Sequence, residues 1–291
     1  MKRARRARGT TARPLAGALT ALMVLIAGGG WHGAAAQLKP GVIVVDGSTT
    51  VGPIAKAFAE YFMTVHKDVN VTVSESGSGN GAKSLINGAC DIADMSRFMK
   101  SEEFSAAVAK GVLPVAHVVA LDGIAIVVHP SNPLRELSVA QVHDIYLGKI
   151  TNWKQLGGPD GKIVVVSRDT NSGTYETFDT LVMNQEKMAE GVEYLGSSGA
   201  IRQKVQSTEA AIGYVGMGFV DRTVKAVPID GIEATRETVV SGKYPIARPL
   251  FMFTNGYPKL GSPLHSFISL YLGRKGQEII EAIGFVPVTS Y

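Results

Sequence analysis

The chain has 291 residues, of which 45% are apolar and 19% are charged, a composition that excludes an intrinsically disordered protein. The formal net charge of +4 is misleading, because six of the 29 cations lie within the first 13 residues. From Gln37 onward 23 cations face 25 anions, so the basic pI does not indicate nucleic-acid binding. Cys90 is the one cysteine, which excludes an internal disulfide and a cysteine zinc cluster.

The first 36 residues have the plan of a secretory signal peptide. Residues 1–13 are strongly basic, residues 14–30 are apolar, and Ala34-Ala35-Ala36 supplies small residues before Gln37. A membrane anchor is the alternative, but this apolar stretch falls short of the ~20 residues that a span prefers. We therefore predict that residues 1–36 are cleaved, and that the rest is an exported, soluble, periplasmic protein.

Strand-like and helical patterns alternate along the remaining chain. Apolar residues recur at helical spacing from Ile54 to Val65, and β-branched runs before and after them are typical of strands. The patterns predict strands at 42–45, 69–73, 117–128 and 163–166, and helices at 54–65, 81–87 and 174–183. This alternation predicts an α/β protein with mainly parallel sheets, in which ligands bind beyond the carboxyl ends of the strands.

Three predicted strand-to-helix turns share one chemistry. They are Gly47–Pro53, Gly77–Gly81 and Ser167–Thr174, and each combines glycines with hydroxyls and free backbone amides at a helix start. Each turn alone is also what an ordinary helix N-cap looks like. Together they carry a single cation, Arg168, which favours a small dehydrated oxyanion over a polyanion held by surface charge.

Other motifs are incomplete. The segment 77–84 lacks the second P-loop glycine, since Ala82 precedes Lys83, and Ser76 stands where the first glycine of a nucleophile elbow is required before Ser78. The histidines after residue 36 have no metal-ligand spacing. The sequence therefore predicts no catalytic residue, no metal and no cofactor.

Five segments resemble the periplasmic phosphate-binding proteins of ATP-driven phosphate import. They are DGSTTVGPIAKAFAEYF (46–62), SGSGNGAKSLINGACDIADMSR (76–97), LSVAQVHDIYLGKITNW (137–153), VSRDTNSGTYETF (166–178) and AIGYVGMG (211–218). The resemblance implies the type II periplasmic binding protein fold, in which two similar α/β domains flank a ligand cleft. It places domain I at 37–122 and 244–291 and domain II at 123–243, with crossover strands near 121–124 and 244–248.

The same resemblance implies a set of phosphate-binding residues. They are Ser48, Thr49, Thr50, Ser78, Ser96, Arg97, Asp122, Arg168, Ser172, Gly173 and Thr174. Some relatives carry a proton-accepting aspartate where this chain has Ser96-Arg97. We expect Asp122 to accept the phosphate proton instead, with Asp94 as the alternative.

The resemblance predicts that the protein captures inorganic phosphate and delivers it to the membrane permease of an ABC transporter. It predicts a monomer that catalyses no reaction and binds no nucleic acid. Two alternatives stay open from the residues: the same scaffold binding sulfate or molybdate, and an exported phosphatase-like enzyme.

Overall fold

The computed structural model describes residues 41–289, so the predicted signal peptide at 1–36 lies outside the described residues. The described part contains nine β-strands. They are β1 (Val42–Gly47), β2 (Asn70–Ser74), β3 (Ile92–Met95), β4 (Pro114–Val128), β5 (Val164–Arg168), β6 (Glu193–Leu195), β7 (Ala211–Gly216), β8 (Lys225–Val227) and β9 (Ala247–Asn255).

The same residues form nine α-helices and three short 3-10 turns, at 153–156, 217–219 and 269–272. The helices are α1 (Gly52–Val65), α2 (Ser78–Ile86), α3 (Ser101–Ala109), α4 (Val139–Tyr146), α5 (Gly173–Leu181), α6 (Ser198–Ser207), α7 (Arg236–Val240), α8 (Pro263–Ile268) and α9 (Arg274–Ala282). No helix in this part of the chain is long and apolar enough to cross a membrane.

The local sequence explains the elements that lead to the turns. Pro53 lies in the first turn of α1, where its missing N–H costs nothing, and Ile54, Phe58 and Phe62 recur every fourth residue on its buried face. Helix α5 begins at an N-cap, because the Ser172 hydroxyl accepts hydrogen bonds from the second and third backbone amides after it, at 3.1 and 3.3 Å.

The strands form one path in the order β2-β1-β3-β9-β4-β7-β5-β6, with β8 beside β4. The β1–β2, β1–β3, β5–β6 and β5–β7 pairs are parallel, whereas the β3–β9, β4–β7, β4–β8 and β4–β9 pairs are antiparallel. The α/β prediction is confirmed, but the prediction of mainly parallel sheets is wrong. Strands β4 and β9 run antiparallel to each other in the middle of the path, and β4 carries the chain from the side of β9 to the side of β7.

Strand β4 changes partners where the sequence predicted a crossover. Residues up to Gly123 pair with β9, and residues from Ile124 pair with β7. We call β2, β1, β3, β9 and the first part of β4 the first sheet half, and the remaining strands the second sheet half. Separate apolar clusters, one around Phe58 and Phe62 and another around Tyr146 and Phe178, support the two halves.

Candidate functional site

The three glycine and hydroxyl turns meet at the carboxyl ends of β1, β2 and β5. The first and second turns lead into α1 and α2 in the first sheet half, and the third leads into α5 in the second. The hydroxyl-bearing residues of these turns that the sequence singled out are almost completely buried. The turns therefore face each other across the junction of the two halves.

A chain of three hydroxyls crosses this junction. Thr50 Oγ1, after β1, lies 2.9 Å from Thr174 Oγ1 in the first turn of α5 and 3.2 Å from Ser198 Oγ at the start of α6. All three residues are fully buried. A second contact, 3.3 Å from the Ser198 amide to Thr49 Oγ1, reinforces the same junction.

A second hydroxyl pair lies beside the start of α5. Ser78 Oγ is 3.3 Å from Ser96 Oγ and accepts a 3.1 Å hydrogen bond from the Ser96 amide. A Cβ on Gly173 would lie 2.7 Å from Ser78 Oγ and 2.8 Å from Ser96 Oγ, closer than real contacts allow. Residue 173 must therefore be glycine for the α5 terminus to approach these two serines.

Arg168, at the end of β5, is buried, and within residues 41–289 its guanidinium donates no hydrogen bond to a carboxylate. Its guanidinium donates to the Leu195 and Gly196 carbonyls at 3.1 and 3.0 Å and to Ser198 Oγ at 3.3 Å. A carboxylate oxygen of Asp169 lies 4.0 Å away, beyond hydrogen-bond distance. Burial lowers the pKa of Arg168 from its usual value, and the group stays charged because that value is so high.

Arg248, in β9, is a second buried guanidinium, and no local sequence pattern singled it out. It donates to Asp122 Oδ2 from two nitrogens at 3.1 and 2.9 Å, to the Ser96 carbonyl at 2.8 Å and to Thr174 Oγ1 at 2.9 Å. The other oxygen of Asp122 accepts from the Met217 amide at 2.9 Å. Burial raises the pKa of Asp122 while Arg248 opposes that shift.

These contacts engage both oxygens of Asp122, so its assignment as the acceptor of a phosphate proton stays a prediction that the geometry does not favour. The alternative, Asp94, lies in β3 beside Gly47 of β1. Both of its carboxylate oxygens are buried, and neither has a hydrogen-bond partner among residues 41–289. Burial, with Asp46 and Glu75 nearby, raises the pKa of Asp94 well above its usual value.

Arg97 is matched by carboxylates. It donates two parallel 2.8 Å hydrogen bonds to Glu103, and its Nε lies 2.7 Å from a Glu176 oxygen on α5. Lys100 Nζ lies 3.0 Å from the other Glu176 oxygen. We call Arg97, Lys100, Glu103 and Glu176 the ion-pair cluster. Its geometry indicates a contact between the sheet halves, and a direct role for Arg97 in anion binding stays a prediction.

Asn171 joins the third turn to the second. Its side-chain amide donates to the Ser76 carbonyl at 2.8 Å, and its own carbonyl accepts from the Gly79 amide at 3.1 Å. A Cβ on Gly77 would lie 2.2 Å from the Asn171 amide nitrogen, and Gly77 has a φ of +98°. Glycine is required there for both reasons.

In comparisons with known proteins, residues 34–272 match the family model described as a PBP superfamily domain. The chain is 34% identical over 255 residues to the phosphate-binding protein PstS of Bacillus subtilis, covering 86% of this chain and 82% of that protein. It is 31% identical over 270 residues to the protein SphX of Synechococcus elongatus, covering 88% and 80%. The chain belongs to the phosphate-binding protein family of the PBP superfamily.

Solved structures agree with this family. One is a Clostridium perfringens structure described as a phosphate ABC transporter substrate-binding protein with bound phosphate. It superposes with a TM-score of 0.80 and 38% sequence identity, and the match covers 85% of this chain and 100% of that one. An ABC-type phosphate transport receptor from Vibrio cholerae gives 0.68 and 30%, covering 84% and 99%. The predicted periplasmic binding protein fold is thus confirmed.

Sequence reasoning singled out the three turns that the structure brings together, but it did not single out Ser198 or Arg248, which lie beside them. The turns carry a local glycine and hydroxyl pattern, so all three were found. Ser198 and Arg248 were missed because each lies far along the chain from the turns. One sequence signal could have found Arg248: it and Asp122 carry opposite charges within otherwise largely apolar strand sequences. Among residues 41–289, no three His, Cys, Asp or Glu side chains are grouped to hold a metal ion.

Proposed function

We propose that this protein captures inorganic phosphate outside the cytoplasm and delivers it to the permease of an ABC importer. One observation carries the proposal. Two buried guanidiniums, Arg168 and Arg248, adjoin converging buried hydroxyls, while among residues 41–289 only Asp122 accepts a hydrogen bond from either of them through a carboxylate. A buried excess of positive charge and hydroxyl groups suits a dehydrated oxyanion.

The proposal includes the site, the domains and the location of the protein. The anion would lie among the turn residues Ser48 to Thr50, Ser78, Ser96, and Ser172 to Thr174, with Arg168 as a charged partner. Domain I would comprise 37–122 and 244–291 and domain II 123–243, and their closure would bury the anion. The chain would act as a monomer after removal of its signal peptide.

The size of the ligand bounds the affinity. Phosphate has five heavy atoms, and a ceiling of about −1.5 kcal/mol per atom corresponds to a Kd of a few micromolar. Tighter binding requires charge-assisted hydrogen bonds in a site from which water is excluded. The buried guanidinium of Arg168 supports such bonds.

Calorimetric titration with phosphate, sulfate and molybdate tests the proposal. We expect one phosphate per chain at micromolar Kd or tighter, and binding of the other two anions weaker by at least tenfold. Tighter binding of sulfate or molybdate would assign the site to that anion. Turnover of phosphate esters by the purified protein would favour the enzyme alternative and contradict the proposal.

A further inference from the structure

The hydroxyl chain Thr174–Thr50–Ser198 receives a hydrogen bond from an arginine at each end. Arg248 donates to Thr174 Oγ1 at 2.9 Å, and Arg168 donates to Ser198 Oγ at 3.3 Å. A guanidinium has no acceptor, so neither terminal hydroxyl can give its proton to its arginine. The two arginines therefore fix the direction of the hydrogen bonds at both ends of the chain.

The three hydroxyls have more protons than they have hydrogen bonds with one another. Each hydroxyl has one proton, and the three hydroxyls make only two contacts with one another, at 2.9 and 3.2 Å. Within residues 41–289, these hydroxyls make no hydrogen bond to a carbonyl or carboxylate oxygen. One proton of the chain is therefore surplus and requires an acceptor from outside the protein.

We propose that Arg248 is a positioning residue that polarises this hydroxyl chain, so that the chain presents its surplus proton to the bound anion. Arg168 acts in the same way at the other end. The inference rests on the proposed function and deepens it: the site selects a ligand whose oxygens accept hydrogen bonds, because neither arginine can accept the surplus hydroxyl proton. Arg248 acts through Thr174, since its guanidinium donates to the Thr174 hydroxyl and is held in place by Asp122 and the Ser96 carbonyl.

The rival interpretation is that Arg248 only neutralises Asp122 and holds β9 to β4. The two interpretations differ in whether Arg248 and Thr174 act together. Positioning predicts that removing Arg248 also removes most of what the Thr174 hydroxyl contributes to affinity. A purely structural ion pair predicts that the two losses multiply independently.

The test is a double-mutant cycle read by calorimetric titration with inorganic phosphate. Thr174→Val keeps the side-chain volume and removes the hydroxyl, and we expect it to weaken binding roughly tenfold to a hundredfold. In the charge-neutral background Asp122→Asn/Arg248→Gln, the same substitution is expected to cost threefold or less. Thr180→Val, on the exposed side of α5, is the matched control and should leave the affinity within twofold of wild type.

The outcomes separate the two proposals. Thermal unfolding without ligand shows whether each variant is folded. If wild type binds phosphate and the two losses multiply fully, the positioning role of Arg248 is overturned while the proposed function stands. If wild type binds no phosphate, both fall.

If the Asp122→Asn/Arg248→Gln variant does not fold, a second measurement on the wild-type protein tests the inference. Neutron diffraction from phosphate-bound crystals locates the hydroxyl deuterons of Thr174, Thr50 and Ser198. We expect at least one of them to point at a phosphate oxygen. Three deuterons that all point at protein atoms would overturn the inference.

Discussion

Two groups of cations lie at the junction of the sheet halves, and their partners differ. In the ion-pair cluster, Arg97 is bonded to Glu103 and Glu176; burial lowers its pKa, but the two carboxylates outweigh burial and the net shift is upward. Arg168 and Arg248 have neutral oxygens as most of their partners, and burial lowers the pKa of both. Under the proposed function, the cation matched by carboxylates joins the two sheet halves, whereas the incompletely matched Arg168 attracts the anion.

The comparison predicts its largest effect at Arg168. Arg168→Ala should weaken phosphate binding by about 2–5 kcal/mol, because the anion loses a buried partner charge. Calorimetric titration measures the loss, and Arg202→Ala on the exposed part of α6 serves as the control because its ion pair with Asp221 is largely in solvent. An Arg168→Ala affinity within twofold of wild type would contradict the proposed difference between the two groups of cations.

A smaller effect is expected in the ion-pair cluster. Glu176→Gln removes the carboxylate that joins α5 to Arg97 and Lys100 across the two sheet halves. If the halves separate when the site is empty, the variant weakens phosphate binding about threefold to tenfold by making the joined arrangement less populated. The faster dissociation can be followed by stopped-flow fluorescence.

The matched control for Glu176→Gln is Glu278→Gln, whose exposed pairs with Arg274 and Lys275 lie within α9. It should leave both affinity and dissociation unchanged. A loss at Glu176 as large as that at Arg168 would show that the cluster contacts the anion directly, and would remove the distinction between the two groups.

Asp94 extends the comparison to a buried acid, because no cation among residues 41–289 bonds to its carboxyl group. Its raised pKa means that the folded chain holds a proton that the unfolded chain releases above a pH of about 4. Stability is therefore lost as the pH rises above that value. Asp94→Asn should raise Tm by about 2 °C or more at pH 7 and by much less at pH 4.

Thermal unfolding at the two pH values measures this difference, with the exposed Asp160→Asn as the control. An equal shift of Tm at both pH values in the Asp94→Asn variant would contradict the assignment of a neutral carboxyl to Asp94. Loss of phosphate binding in the same variant would instead restore Asp94 as the acceptor of the ligand proton.

The smallest effect is expected from salt. Because Arg168 and the hydroxyls of the proposed anion site are almost completely buried, chloride between about 50 and 200 mM should change the wild-type Kd by less than roughly threefold. Titrations at both concentrations measure this change. A tenfold loss would place the anion at exposed cations and not in the buried site.

The turns could be predicted from sequence because their information is local. Glycines, hydroxyls and a strand-to-helix boundary lie within eight residues of one another, as in 167–174. The distinction between Arg97 and Arg168 could not be predicted, because each lies at or just beyond the end of a short strand and directly after a serine. It depends on Glu176, which folding brings to Arg97 from 79 positions along the chain, a spatial relation that no local pattern encodes.

The buried hydroxyls and arginines at the sheet junction are proposed to hold an oxyanion, and a crystal structure with phosphate tests that claim. We predict phosphate oxygens within hydrogen-bond distance of at least one hydroxyl of the Thr174–Thr50–Ser198 chain and of Ser78 or Ser96. A phosphate bound only at surface lysines, with the buried hydroxyls still bonded to one another, would contradict the claim.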